Sequence, residues 1–118
     1  MTQLIMLHQG QARATVTITT GQVLEMVSFK LAEDVAEEHF LAAAEASNGA
    51  LITLPGFLGR RLVKTGTGEW LDIAEWRDSA SADAAGKVFH TLSQAEVFCS
   101  MIDTNSIKVE HHPIVTAG

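Results

Sequence analysis

The stretch that decides the fold is residues 68–78, which read Gly-Glu-Trp-Leu-Asp-Ile-Ala-Glu-Trp-Arg-Asp. After the opening glycine turn, side chains alternate between the two faces of a predicted strand. One face carries Trp70, Asp72, Ala74 and Trp76, and the other carries Leu71, Ile73, Glu75 and Arg77. Both faces hold bulky apolar groups, whereas the helices of a short domain cover only one face of a sheet. We therefore expect a partner chain to cover the second face.

The segments before this strand predict a strand, a helix and another strand. Residues 22–30 are apolar enough for a first core strand. A helix is expected to open at the acidic pair 33–34, where negative charge favours a helix start, and to run to about Thr53. It would continue through Gly49, although a glycine inside a helix costs about 1 kcal/mol relative to alanine. Residues 57–65 form the next strand.

The segments after residues 68–78 predict two helices and a last strand. Residues 78–81 offer N-cap side chains for a helix that ends near residue 89. Ser93 and Glu96 fit a capping box, which predicts a separate short helix. The last strand spans residues 106–115, and its proline indicates a sheet edge or a strand end.

The predicted order is two strand–helix–strand halves, which is the ferredoxin-like βαββαβ plan of an α+β domain with an antiparallel sheet. Residues 22–118 form this domain. Residues 1–21 form an N-terminal extension, in which the alternation over residues 13–20 predicts one extra strand. We expect this strand to be exchanged with the partner chain or laid against it.

Composition narrows the class of protein and its partners. Hydrophobic residues make up 47% of the 118 residues, which favours an ordered domain. The net charge of −6, with acidic residues clustered over 33–45, disfavours nucleic acid and anionic membranes as partners. No apolar run reaches the ~20 residues of a membrane span, and the first residues do not resemble a secretory signal. Cys99 is the only cysteine, so no internal disulfide is possible and a reducing cytoplasm is the expected compartment.

Three segments carry a family resemblance. The first is Leu-Pro-Gly-Phe-Leu-Gly-Arg-Arg at residues 54–61, and the second is the strand at residues 69–77. The third joins Ala-Glu-Val-Phe at residues 95–98 to Met-Ile-Asp at residues 101–103. Over about residues 22–115, the chain resembles the dimeric α/β-barrel superfamily, in particular the antibiotic-biosynthesis monooxygenases. The resemblance implies a homodimeric α/β barrel in which two sheets face each other.

Neither known type of active site in that superfamily transfers intact to this chain. The superfamily that this chain resembles includes haem-degrading enzymes, whose iron-ligating histidine lies near the Val-Phe run. At the corresponding place this chain has Met101 and Ile102, and His90 lies well upstream. The superfamily also includes cofactor-free oxygenases of aromatic polyketides, which use a tyrosine beside tryptophan and asparagine, and this chain has no tyrosine. We expect no resident cofactor.

The candidate site is the strand face that carries Trp70, Asp72 and Trp76. In the functional interpretation, the tryptophans bind an apolar or aromatic small molecule, and burial makes Asp72 a better base. In the alternative interpretation, the tryptophans pack in the core or dimer interface, and Asp72 bonds to a backbone group or an arginine. His90 is a second candidate catalytic residue, a proton donor at the rim, with helix capping or a surface position as its alternative.

No metal site is expected from the remaining histidines and the cysteine. His111 and His112 are adjacent on a strand and point to opposite faces, so only Glu110 and His112 share a face as possible ligands. His39 lies among glutamates and is expected on the surface, and Cys99 is expected as a buried helix residue.

Two functions remain open on the sequence. The first is a monooxygenase-like protein that binds an apolar or aromatic small molecule between sheet and helices. The second is a non-catalytic ligand-binding or structural homodimer of the same fold, because a fold does not determine an activity.

Overall fold

The computed structural model of the protein describes residues 21–117. Its strands and helices, in chain order, are β1 (Val23–Phe29), α1 (Glu37–Leu51), β2 (Phe57–Lys64), β3 (Trp70–Trp76), α2 (Ser79–Val88), α3 (Ser93–Ser100) and β4 (Lys108–Pro113). Short 3-10 turns at Phe89–Thr91 and Thr104–Ser106 lie on either side of α3. The extra strand predicted over residues 13–20 lies outside the described residues.

The four strands form one antiparallel sheet in the order β2-β3-β1-β4. Each half contributes one central and one edge strand, because β1 and β3 pair in the middle of the sheet. The predicted α+β ferredoxin-like plan is therefore confirmed. The proline that ends β4 lies on a sheet edge, as the sequence predicted.

The start of α1 differs from the prediction. The helix begins at Glu37 rather than at residues 33–34, and Asp34 has a left-handed φ of 65°. The segment before the helix is held by tertiary contacts instead, since Leu31 forms a β-bridge with Ile102 and the Ala32 N–H donates to the Met101 carbonyl over 2.8 Å. The predicted continuation of the helix past Asn48-Gly49 is confirmed, and α1 ends at Leu51.

Of the two helices after β3, α2 starts at the N-cap that the sequence predicted and α3 does not. Asp78 is the N-cap of α2, and its carboxylate accepts a hydrogen bond from the Ser81 backbone N–H over 2.7 Å. The separate short helix α3 is confirmed, but the predicted capping box is wrong. Leu92 occupies the N-cap position without a side-chain cap, and Ser93 is the first residue of the helix.

The core lies between one face of the sheet and the helices. Phe29, Phe40, Trp70 and Phe98 form one buried cluster, in which the rings of Phe40 and Trp70 are 4.9 Å apart. Trp76 anchors a second cluster, against small and aliphatic residues of α1 and α2. Burying one large apolar side chain stabilises the fold by about 1.5–3 kcal/mol, so these rings dominate the core energetics.

The opposite face of the sheet is apolar at its centre and charged at its rim. Alternation along the strands places Leu24, Met26, Leu71 and Ile73 there, all of them half-buried. Charged side chains on the same face surround them, namely Arg61, Glu75, Lys108 and Glu110. We call this surface, defined by these eight residues, the open face. Within residues 21–117, every helix falls short of the length and hydropathy that a membrane span needs.

Candidate functional site

A cavity of about 210 Å³ lies between the sheet and the helices, on the side opposite the open face. The sheet contributes Glu25, Val27, Phe29, Asp72, Ala74, Trp76 and Val109 to its wall, the helical segments contribute Leu51, Ala85, Gly86, Phe89, His90, Phe98 and Cys99, and Ile102 comes from the segment after α3. The wall is mainly apolar with a few polar groups, as ligand sites usually are. Since a cavity of about 150 Å³ accommodates benzene, this volume suits a ligand of one or two rings.

Three of the four residues predicted for the site line this cavity. Asp72 and Trp76 come from β3, and His90 comes from the 3-10 turn after α2, where its side chain is exposed at the rim. Trp70 does not belong to the wall. It is only 5% exposed and packs in the first core cluster, with the Lys64 ammonium 5.7 Å from its ring centre.

Asp72 is ion-paired with an arginine on the neighbouring strand. Arg60 Nε and Nη2 donate to the two carboxylate oxygens of Asp72, both over 2.8 Å. The remaining guanidinium nitrogen, Nη1, donates to three groups on α1, namely the Ala44 carbonyl, Ser47 Oγ and Asn48 Oδ1, at 2.9–3.2 Å. The two side chains are 5% and 17% exposed, and we call this pair with its α1 partners the Arg60 clamp. Protonating Asp72 would weaken two charge-assisted hydrogen bonds.

A second polar group at the cavity wall was missed by the sequence analysis. Trp76 Nε1 donates to Glu25 Oε1 over 3.1 Å, and His111 Nε2 lies 2.9 Å from Glu25 Oε2. His111 Nδ1 in turn lies 3.7 Å from a carboxylate oxygen of Asp83 on α2. Glu25 and His111 are direct cross-strand partners in the β1–β4 pair. The adjacency of the first and last strands in a ferredoxin-like sheet was the signal that could have linked these two residues.

Cys99 also lines the cavity, but its chemistry is that of a neutral thiol. Burial raises the pKa of the Cys99 thiol, and the nearby Asp72 carboxylate raises it further against the opposing effect of Arg60. The thiolate is the reactive form of cysteine, so this environment disfavours a nucleophile.

Glu110 and His112, which the sequence analysis kept as possible metal ligands, lie on the open-face side of the sheet and not at the cavity. His112 Nε2 is 2.9 Å from Glu110 Oε1, which confirms that the two share a face, and this hydrogen bond lowers the pKa of Glu110. Among the described residues, no group of three or more His, Cys, Asp or Glu side chains is arranged to hold a metal ion.

Comparison with known families gives a match over most of the ferredoxin-like core. The model of the antibiotic biosynthesis monooxygenase family matches residues 23–87, which is more than half of the 118 residues. The match runs from β1 into α2, so α3 and β4 lie beyond it. No curated protein matches the chain in sequence.

Solved structures share the fold at low sequence identity. SnoaB, a cofactor-independent oxygenase from Streptomyces nogalater, is 17% identical, with a TM-score of 0.59 over 83% of this chain and 95% of SnoaB. A Bordetella bronchiseptica protein assigned to the antibiotic biosynthesis monooxygenases is 15% identical, with a TM-score of 0.65 over 81% of this chain and 99% of its own. A Shewanella oneidensis protein is 18% identical, with a TM-score of 0.60 over 85% and 97% of the two chains.

Proposed function

Because the chain belongs to the antibiotic biosynthesis monooxygenase family, we propose that it is a monooxygenase-like protein that binds an apolar or aromatic small molecule in the cavity between sheet and helices. The observation that carries this proposal is the mainly apolar cavity of about 210 Å³, with polar groups at separate points of its wall. The shared fold with SnoaB, itself a cofactor-independent oxygenase, supports a reaction that needs no resident cofactor.

In this proposal, the cavity residues divide into an apolar wall and polar groups. Trp76 forms part of the wall that contacts the ligand, and Trp70 supports β3 from the neighbouring core cluster. Asp72 is the proposed polar or basic group, and His90 is the proposed proton donor at the rim. Dioxygen is the oxidant: one oxygen atom enters the product, and the other leaves as water with two hydrogens of the substrate.

A non-catalytic ligand-binding or structural dimer is the second candidate. The Arg60 clamp supports it, because both oxygens of the Asp72 carboxylate already accept hydrogen bonds from Arg60. Both candidates share a homodimer in which the open faces of two copies pack together. The apolar centre and charged rim of that face match the anatomy of a protein interface. The single cysteine is consistent with a reducing cytoplasm as the compartment.

Ligand binding is tested by filling the cavity. Ala85 is 5% exposed in the cavity wall, so Ala85→Leu adds three carbons to the space that the ligand would use. Its matched control is Ala84→Leu, at an exposed position of α2 outside the cavity wall. We expect 1-methoxynaphthalene to quench tryptophan fluorescence in the wild type and in Ala84→Leu, and to bind Ala85→Leu at least about tenfold more weakly. Absence of binding to the wild type would overturn the cavity as the ligand site.

Oxygenation is tested separately. One- and two-ring hydroxyaromatic compounds are incubated with the protein under labelled dioxygen, and products are analysed by mass spectrometry. Incorporation of one labelled atom, lost in Ala85→Leu, supports the monooxygenase. Ligand binding without oxygen uptake across this panel favours the non-catalytic alternative.

A further inference from the structure

Glu25 differs from Asp72 in how its carboxylate is held. Its two oxygens have different partners, the indole N–H of Trp76 and the imidazole of His111. A carboxylate has about four lone-pair positions, so each oxygen of Glu25 can accept a further hydrogen bond. The Glu25 side chain is 17% exposed and belongs to the cavity wall. It is therefore fixed in position and still able to accept a donor from the cavity.

The carboxylate of Asp72 lines the same cavity and also accepts one hydrogen bond on each oxygen. Both of these bonds come from a single cationic guanidinium, which balances the charge of the carboxylate and makes it a weaker acceptor for a ligand hydroxyl. At Glu25, the indole N–H of Trp76 carries no charge, so more of the negative charge of the carboxylate is left for a ligand hydroxyl.

We propose that Glu25 is the specificity-determining residue of the cavity and receives the hydroxyl group of a one- or two-ring hydroxyaromatic ligand. Trp76 and His111 are positioning residues that hold the carboxylate toward the cavity, and Asp83 contacts the far side of the imidazole. The rings of the ligand lie against the apolar wall, which includes Val27, Ala74 and Val109. This inference rests on the proposed function, since it assumes that the cavity binds an aromatic ligand.

The test compares two probes that differ only in their hydrogen-bond donor. Isothermal titration calorimetry measures the Kd of 1-naphthol and of 1-methoxynaphthalene, and the ratio of the two values reports the hydroxyl contact. We expect the wild type to prefer 1-naphthol by about tenfold or more, the usual contribution of a hydrogen bond to a charged group. Glu25→Gln reduces the ratio, and Glu25→Met removes it. Glu110→Met, the matched control on the open face, leaves the ratio unchanged.

The positioning role of His111 is tested by loss and rescue. His111→Ala lowers the preference for 1-naphthol, and His111→Gln, which retains an N–H donor, restores most of it. A loss of overall stability alone would weaken the binding of both probes and leave their ratio unchanged.

The outcomes separate this inference from the proposed function. If Glu25→Met keeps the preference for 1-naphthol, or if the wild type binds both probes equally, Glu25 is not the recognition residue and the cavity still binds aromatic compounds. If neither probe binds the wild type, the cavity proposal fails and this inference fails with it.

Discussion

At the scale of single residues, the Arg60 clamp places two charged side chains in a largely buried position. An arginine and an aspartate lie largely out of solvent, and the guanidinium carbon also lies 4.9 Å from the centre of the Phe98 ring. Such a pair is tolerated inside a protein only when its hydrogen bonds are satisfied. Five hydrogen bonds from Arg60 meet that condition and join β2, β3 and α1.

Removing Arg60 should therefore destabilise the protein severely. Arg60→Met leaves the Asp72 carboxylate without its countercharge, and we expect the free energy of unfolding to fall by about 3–5 kcal/mol in urea titrations. Arg60→Lys should recover little, because an ammonium cannot make the two parallel hydrogen bonds. Lys87→Met, at an exposed position of α2 away from the open face, is the control and should change stability by less than about 1 kcal/mol. A similar small change for Arg60→Met would contradict the clamp.

The lowered pKa of Asp78 predicts that the stability of the protein decreases at acidic pH. Hydrogen bonds from the side chain and backbone N–H of Ser81 lower its pKa below 3.8 in the folded protein. Because the folded pKa is lowered, its stabilising effect is present above pH 3.8 and is lost as pH falls through the folded value. Asp78→Asn keeps an N-cap acceptor that does not titrate. We expect this variant to lose less stability than the wild type between about pH 5 and pH 2 in urea titrations. Parallel pH profiles would refute the assignment.

The sequence could indicate the residue types of the site but not their partners. The sequence analysis left an arginine partner open for Asp72 without identifying Arg60, which is 12 residues away and faces the same side of the sheet. Glu25 and His111 are 86 residues apart, and only the pairing of β1 with β4 brings them together. Trp70 and Trp76 share a strand face, as predicted, but Trp70 packs against Phe40 in the first core cluster and does not line the cavity.

At the scale of elements, the turn between α1 and β2 depends on a glycine. Gly56 has a φ of +83°, a left-handed conformation that costs other residues about 1–2 kcal/mol. A Cβ atom there would also lie 2.3 Å from Ser81 Oγ and 2.5 Å from Ser81 Cβ at the start of α2. The Gly56 carbonyl accepts a hydrogen bond from the Arg77 N–H over 2.7 Å, which fixes this approach.

Gly56→Ala should therefore be strongly destabilising. We expect a loss of at least about 2 kcal/mol, measured by thermal or urea unfolding, because backbone strain and the overlap with Ser81 add together. Gly59→Ala provides the control on β2, where a Cβ atom meets nothing within 4 Å. Equal stability of the two variants would show that the turn can move away from α2.

Element types could be predicted from the sequence more reliably than element ends. The sequence predicted every strand and helix of the described core, α1 from apolar spacing and the starts of α2 and α3 from candidate N-cap residues. The start of α1 was misplaced because acidic residues favour a helix start only where the chain is free to form one. Here Leu31 and Ala32 are held by contacts with the segment after α3, which local sequence does not reveal. The capping box failed because α3 starts one residue earlier: the Leu92 carbonyl accepts hydrogen bonds from the Ala95 and Glu96 N–H groups, so Ser93 lies inside the helix.

At the scale of the whole molecule, the open face predicts self-association. Ile73 and Met26 are cross-strand neighbours at its centre, so Ile73→Glu places a charge where the proposed interface is most apolar. We expect the wild type to be a dimer in light scattering at micromolar concentration and Ile73→Glu to be a monomer. Val97→Glu, at an exposed position of α3, is the matched control and should remain dimeric. A wild-type monomer at this concentration would contradict the proposed interface.

The separation of the Arg60 clamp from Glu25 has a consequence for how this protein can change over evolution. The clamp joins β2 and β3 to α1, whereas Glu25 is held by side chains of β3 and β4. Single substitutions at Glu25, His111 or Gly86 therefore leave the hydrogen bonds of Arg60 in place. Under the proposed function, such substitutions change the ligand preference of the cavity while the contacts that join β2, β3 and α1 are retained.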